Sequence, residues 1–139
     1  HRGDSQALLR AADLALVASG TATLETAALG VPMVIVYKTG ALNYAIARRV
    51  VRLPRIGLAN IVAEMDAAPE QIQKNATGPR IASAAARLLG AGAERERQRA
   101  AFASLPERLG GAGSAERAAD ALVEFITERR AAAAAAPFG

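Results

Sequence analysis

The sequence predicts an α/β fold, a parallel sheet flanked by helices, and three observations carry that prediction. Met33-Val34-Ile35-Val36-Tyr37 is apolar without alternation and rich in β-branched residues, the pattern of a strand buried on both faces, as in parallel sheets. Gly30 and Pro32 stand just before it, one closing the preceding helix and the other preventing its return. Short apolar runs then alternate with helical patterns about twenty residues apart, the rhythm of βαβ units with right-handed crossovers.

Taken in order, Asp4 or Ser5 caps a first helix with Leu8, Leu9 and Ala12 on its apolar face. Leu14 to Ala18 is the first strand, and Thr21 to Leu29 the helix after it. Met33 to Tyr37 is the second strand. A crossover helix is expected from Leu42 to Val51, with Leu42, Ile46 and Val50 in one stripe, and a short third strand at Arg55 to Leu58. Ile61 to Ala68 reads as an irregular loop or a single turn, and Pro69 as the start of a short helix over Glu70 to Lys74. Thr77 caps a further helix, with Pro79 in its first turn and Ile81, Ala85, Leu88 and Leu89 facing inward. Ala93 to Leu109 is a charged, solvated helix that Pro106 kinks or ends. Gly110-Gly111-Ala112-Gly113 is a flexible joint. A last helix runs from Ser114 to about Arg130, with Ala115, Ala119, Leu122, Val123 and Ile126 on its buried side. The expected domains are therefore 1–109, an N-terminally truncated ligand-binding unit, then the helix 110–131, then a disordered tail 132–139.

Composition narrows the chemistry. The 139 residues suffice for one modest domain, and 17 basic against 13 acidic residues give a net charge of +4. This mild excess admits an anionic partner without choosing one. Cysteine is absent and the single histidine is His1, which excludes a disulfide framework, a thiolate metal site and a Ser/His or Cys/His pair. No ligand cluster implies a metal. Aromatics make up 4%, and the aromatic interleaving of single-strand binders is missing, so no nucleic-acid partner is expected. No apolar run approaches a membrane span. The chain starts at His1 rather than Met, and a piece of a longer protein is the expectation.

The stretch with the most chemistry is Ser19-Gly20-Thr21-Ala22-Thr23-Leu24-Glu25. A strand, a small-residue turn and a helix N-terminus offer free backbone N–H groups and partial positive charge to a phosphate, and glycine permits close approach. Glu25, one turn on, can accept from a sugar hydroxyl. Ordinary helix capping accounts for the same residues without a ligand. The Ser19 turn, the loop at Lys38 and the segment at Ala59-Asn60 all fall at the carboxyl ends of expected strands, where open α/β sheets bind ligands.

Ala12 to Glu25, together with Pro32-Met33-Val34, Tyr37-Lys38, Leu42 to Val51, Leu58-Ala59-Asn60-Ile61 and Pro69-Glu70-Gln71-Ile72-Gln73, resembles the lipid-A-disaccharide synthase family over about residues 4–90. These are inverting glycosyltransferases of two Rossmann-like domains, and the resemblance implies the C-terminal, donor-binding half with extra C-terminal helices. It implies transfer of an acylated glucosamine from its UDP derivative to a diacylglucosamine 1-phosphate. The UDP-sugar is a substrate, and no cofactor is implied. Ser19, Gly20 and Thr21 would face the diphosphate and Glu25 the ribose, with Asn60, Glu70 and Gln73 near donor sugar or phosphate. Turn formation for Asn60 and helix decoration for Glu70 are the plainer readings.

The family's Leu-Pro-Asn and Ala-Gly-Arg-Glu are altered here. Ala59 replaces the proline, and Glu64, Met65 and Asp66 stand for Gly, Arg and Glu. The acceptor base would lie on the other half, leaving no catalytic residue in this chain, which by itself should be inactive. Lipid substrates imply a cytoplasmic protein meeting the inner membrane, where Arg48, Arg49 and Arg52 would rest on anionic headgroups; a crossover helix with arginines in water is the plainer alternative. The last helix is left to dock on this domain, on the other half, or on a second copy as a homodimer. Other readings are another UDP-sugar transferase or UDP-GlcNAc epimerase half, or a non-catalytic α/β binding domain.

Overall fold

The computed structural model describes residues 3–40 and 55–135, with side-chain surroundings given through Arg130. Contacts divide the chain into two compact units, residues 1–108 and 109–139.

In the first unit, α1 (Ser5–Arg10) is capped by Asp4, whose side chain accepts from the Gln6 N–H at 2.9 Å. Then come β1 (Ala15–Ala18), α2 (Thr21–Ala28) and β2 (Met33–Tyr37). After the segment outside the described residues follow α3 (Leu58–Ala63), β3 (Glu70–Ile72) and a 3₁₀ turn (Gln73–Asn75). Helices α4 (Gly78–Leu89), α5 (Ala93–Ala103) and α6 (Leu105–Arg108) complete the unit.

The three strands are parallel in the order β1-β2-β3. Ala15 pairs with Met33 and Ala18 with Val36, while Ile35 pairs with Glu70 and Tyr37 with Ile72. The central strand is the continuously apolar run, and Met33, Val34 and Ile35 are fully buried. Alternate residues feed two layers. Ala15, Val17, Met33 and Ile35 join Ala27 of α2, Ala59 and Ala63 of α3, Phe102 of α5 and Leu105 of α6. Val34 packs on the other face with Ala84 and Leu88 of α4. The sheet is thus covered on both sides, as expected of a parallel sheet.

Several elements differ from expectation. The third strand is not at Arg55 to Leu58, since Leu58 opens α3. It is Glu70–Ile72, where a short helix was expected. Two of its three residues are polar, and its strand character comes from pairing with β2, beginning with the Ile35 N–H donating to the Pro69 carbonyl at 2.9 Å. The acid expected to decorate its own helix start lies in β3 and serves the start of another helix, α3. The Glu70 carboxylate accepts from the Gly57 N–H, the N-cap of α3, at 2.9 Å.

The charged helix stops at Ala103 and resumes as α6, with Pro106 in the first turn, where it needs no N–H. Its Glu94 pairs with Arg87 of α4. Leu89 is 53% exposed because α4 aims Ala84 and Leu88, four residues apart, at the sheet. Leu8 is likewise exposed, while Leu9 and Ala12 pack on the core. The expected helix at Leu42 to Val51, with Arg48, Arg49 and Arg52 nearby, lies outside the described residues.

In the second unit, α7 (Ser114–Ala135) runs past the expected end near Arg130, because its terminal alanines are the best helix formers. Leu122, Val123 and Ile126 are exposed rather than buried, as is Phe125. Ala115 and Ala119 are exposed as well. The Phe125 ring lies under the Arg129 guanidinium at 5.5 Å.

Glycine at position 57 is a packing requirement. A Cβ there would collide with Ile35 Cδ1 and sit 3.2 Å from Glu70 Oε1. Gly57→Ala is therefore expected to destabilise the protein by about 1–3 kcal/mol, the usual range for overpacking, seen as a lower urea midpoint; an unchanged midpoint would refute the tight packing of this corner.

Candidate functional site

The candidate site is built where β1, β2 and β3 end. The register puts Ser19 just beyond Ala18, Lys38 beyond Tyr37 and Gln73 beyond Ile72, all on one rim.

The Ser19-Gly20-Thr21 turn joins β1 to α2. Gly20 has φ 146° and ψ −164°, a backbone region essentially confined to glycine. Its carbonyl accepts from the Thr23 N–H at 3.1 Å and the Thr23 hydroxyl at 2.7 Å. Thr23 is fully buried, and its Oγ1 also accepts from the Ala59 N–H at 3.2 Å, tying α2 to α3. Thr21 is exposed at the start of α2, where the first N–H groups have no partner inside the helix. The Ser19 hydroxyl donates to the Ile56 carbonyl at 3.0 Å. Glu25 is half-buried one turn into α2, and its side chain makes no hydrogen bond or ion pair among the described residues.

Gln73 sits at the end of β3 with φ 51°, an unusual left-handed conformation for a residue with a side chain. Its Oε1 accepts from the Thr39 N–H at 3.3 Å, and its buried Nε2 has no partner among the described residues. A buried amide donor left unmatched is costly unless something else meets it.

Asn60 and Glu70 occupy the layer behind this rim. Asn60 is 1% exposed. Its Nδ2 donates to the Ala68 carbonyl at 2.8 Å and to Glu70 Oε1 at 2.9 Å, while its Oδ1 accepts from the Ala68 N–H at 2.8 Å. Glu70 also accepts from the Ile56 N–H at 3.1 Å and from that of Gly57 at 2.9 Å. Both side chains are thus engaged within the protein.

A cavity of about 390 Å³ opens at the other end of β3, between Met65, Asp66, Pro69 and Arg97. It reaches Asn60 and Glu70 from behind and does not include Ser19, Thr21, Glu25 or Gln73.

The altered loop has a visible consequence. Glu64, standing where the resembled motif carries glycine, closes α3 with φ 57° and ψ 19°, the left-handed form that glycine adopts without steric cost. It pairs with Arg108, whose Nη1 also donates to the Val62 carbonyl. Asp66 pairs with Arg55 at 2.8 Å.

Two structural residues were not singled out from the sequence. Thr23 carried no signal distinguishing it from its neighbours. Gln98 did carry one, being the single uncharged polar side chain in Glu94-Arg95-Glu96-Arg97-Gln98-Arg99 and in step with Phe102 and Leu105 at helical spacing.

The fold and rim define a Rossmann-like α/β unit with a small-residue turn at the carboxyl edge of a parallel sheet. The model of the family described as lipid-A-disaccharide synthetase matches residues 1–124. The chain belongs to that family. It is 46% identical over 118 residues to a lipid-A-disaccharide synthase of Syntrophus aciditrophicus, covering 85% of this chain and 31% of that protein. It is 41% identical over 119 residues to the Geobacter sulfurreducens synthase (86% and 31%) and 38% identical over 125 residues to that of Solibacter usitatus (89% and 33%). The chain thus spans about a third of the length of these curated relatives. No helix among the described residues is long and apolar enough to cross a membrane.

Proposed function

We propose that this chain is the C-terminal, donor-binding part of a two-domain inverting glycosyltransferase. The full-length protein would join UDP-2,3-diacylglucosamine to 2,3-diacylglucosamine 1-phosphate and release UDP, making lipid A disaccharide 1-phosphate. Family membership supports the reaction class. The single observation that supports the site is the glycine-specific turn before α2 sharing a rim with Gln73, whose amide donor is unmatched among the described residues.

In this reading the backbone N–H groups at Gly20 and Thr21 and the Thr21 hydroxyl meet the diphosphate. Charge that builds on the leaving group is stabilised there by donors already in place. Ser19 borders the same oxygens, though its hydroxyl hydrogen is committed to Ile56. Glu25 accepts from the ribose hydroxyls. Gln73 turns its Nε2, unmatched among the described residues, toward the donor sugar or phosphate, and Asn60 and Glu70 complete the donor site. The acceptor's base belongs to the rest of the enzyme. Arg48, Arg49 and Arg52 are the proposed contacts to the inner-membrane surface, and the exposed apolar side of α7 is the proposed homodimer contact. The enzyme is proposed to work in the cytoplasm.

Calorimetry tests this directly. The isolated chain is expected to bind UDP and to make no disaccharide, whereas the full-length protein does both. Glu25→Ala in the full-length protein is expected to weaken UDP binding about tenfold, as for a lost charge-assisted hydrogen bond. Absence of UDP binding by the native full-length protein would leave only a non-catalytic α/β domain.

A further inference from the structure

Glu70 stands at the first position of β3, the end opposite the rim, yet its hydrogen bonds lead there. Its carboxylate gathers three donors from within the protein: the Ile56 N–H, the Gly57 N–H and the Asn60 amide. The Asn60 amide is held in turn by both backbone groups of Ala68. On its other side, Ile56 presents its carbonyl to the Ser19 hydroxyl at 3.0 Å. A continuous chain of hydrogen bonds therefore runs from Ala68 through Asn60 and Glu70 to the Ile56 backbone and on to Ser19, the residue before Gly20. Each link crosses between segments distant in sequence, so none is a by-product of helix or strand formation.

We propose that Glu70 is a positioning residue for the diphosphate turn: held by Asn60, it fixes the Ile56 backbone, which fixes Ser19 and with it the direction of the Gly20 and Thr21 N–H groups. This rests on the donor reading above and changes the part Glu70 plays in it, from a ligand contact to a support. The physical reason is preorganisation. Backbone donors aimed in advance lose less on binding than donors that must be ordered at that moment. Hydrogen bonds in a chain also polarise one another, so a charge at one end strengthens the far link. The Glu70 charge pulls on the Gly57 N–H, whose peptide group includes the Ile56 carbonyl that receives Ser19, and the Ser19 side chain is held in one rotamer. Gly57 keeps the corner tight, since even one added carbon meets Ile35 and Glu70.

The test is a double-mutant cycle on UDP affinity in the full-length protein, with thermal midpoints recorded in parallel. Glu70→Gln keeps the shape and removes the charge; Ser19→Ala removes the link at the rim. Each is expected to weaken UDP binding about tenfold, and the double variant no more than the worse single one, because both cut the same chain. Glu25→Ala combined with Glu70→Gln should instead show additive losses. A purely structural role for Glu70 would lower the midpoint without coupling to Ser19 in affinity. Unchanged UDP affinity in folded Glu70→Gln, or losses with Ser19→Ala that simply multiply, would overturn the proposal; multiplied losses would mean that Glu70 touches the donor directly. If Glu70→Gln does not fold, Glu70→Asp, which keeps the charge and shortens its reach, is read by the same cycle. Failure of the native protein to bind UDP overturns the donor reading itself, and the positioning role with it.

Discussion

Replacing Gln98 with leucine is expected to lower the stability of the protein by about 2–4 kcal/mol, from the desolvation cost of buried groups left without partners. Gln98 is 1% exposed. Its Oε1 accepts from the Met33 N–H at 2.9 Å, and its Nε2 donates to the Met33 carbonyl at 3.0 Å and the Ala67 carbonyl at 3.1 Å. The amide does for Met33 what a neighbouring strand would do, since β3 begins only opposite Ile35. Leucine is nearly the same size and adds apolar contact, which offsets part of the loss. It offers nothing to the Met33 N–H, and a buried orphan N–H is the rarest kind of defect in native proteins. Urea unfolding should show a lower midpoint with an unchanged slope. Gln98→Glu keeps the acceptor but buries a charge, and should do no better. A leucine variant within about 0.5 kcal/mol of the native protein, the scale of an ordinary surface change, would show that this amide does not complete the sheet.

The second large effect is expected at Gly20. A Cβ built there meets nothing within 4 Å, so packing gives no reason for glycine. The reason is the backbone, at φ 146° and ψ −164°, where a side chain costs of order 1–3 kcal/mol. Gly20→Ala should therefore destabilise the protein mildly and weaken UDP binding much more, by about tenfold or beyond, because the turn both shifts and acquires a methyl group where the anion approaches. Gly40→Ala is the control, since glycine 40 also has open space around its added carbon and no unusual φ. Equal UDP affinity in the two variants would remove the turn from the binding site.

Some of this was legible in the sequence because it is written in local pattern. The run from Met33 to Tyr37 reads as a central strand whatever surrounds it. Gly30 and Pro32 mark the preceding helix end without reference to the rest of the fold. The Ser19-Gly20-Thr21 turn could be picked out because a strand, small residues and a helix N-terminus in succession suit a bound phosphate. Glu70-Gln71-Ile72 could not be read as a strand, since two of its three residues are polar and its pairing depends on where β2 lies. Arg55-Ile56-Gly57-Leu58 resembled one because its apolar residues anticipate packing rather than sheet pairing. The support behind the turn was hidden for a different reason. Its middle is the backbone of Ile56, and backbone groups leave no trace in side-chain chemistry. Asn60 and Glu70 stood out by type, yet only their partners show that both are engaged inside the protein.

The Gln98 clamp also bears on the order in which the chain becomes stable. It joins residues 65 positions apart, and contacts of such separation are late and slow to form. During synthesis, at about 5–20 residues per second, the central strand would emerge several seconds before the glutamine that completes its hydrogen bonding. In that interval the Met33 edge is open to any other extended segment, including one from a neighbouring nascent chain. The unit is therefore expected to be most prone to misassociation while its α5 is still within the ribosome, and to lose that vulnerability once residue 98 has docked.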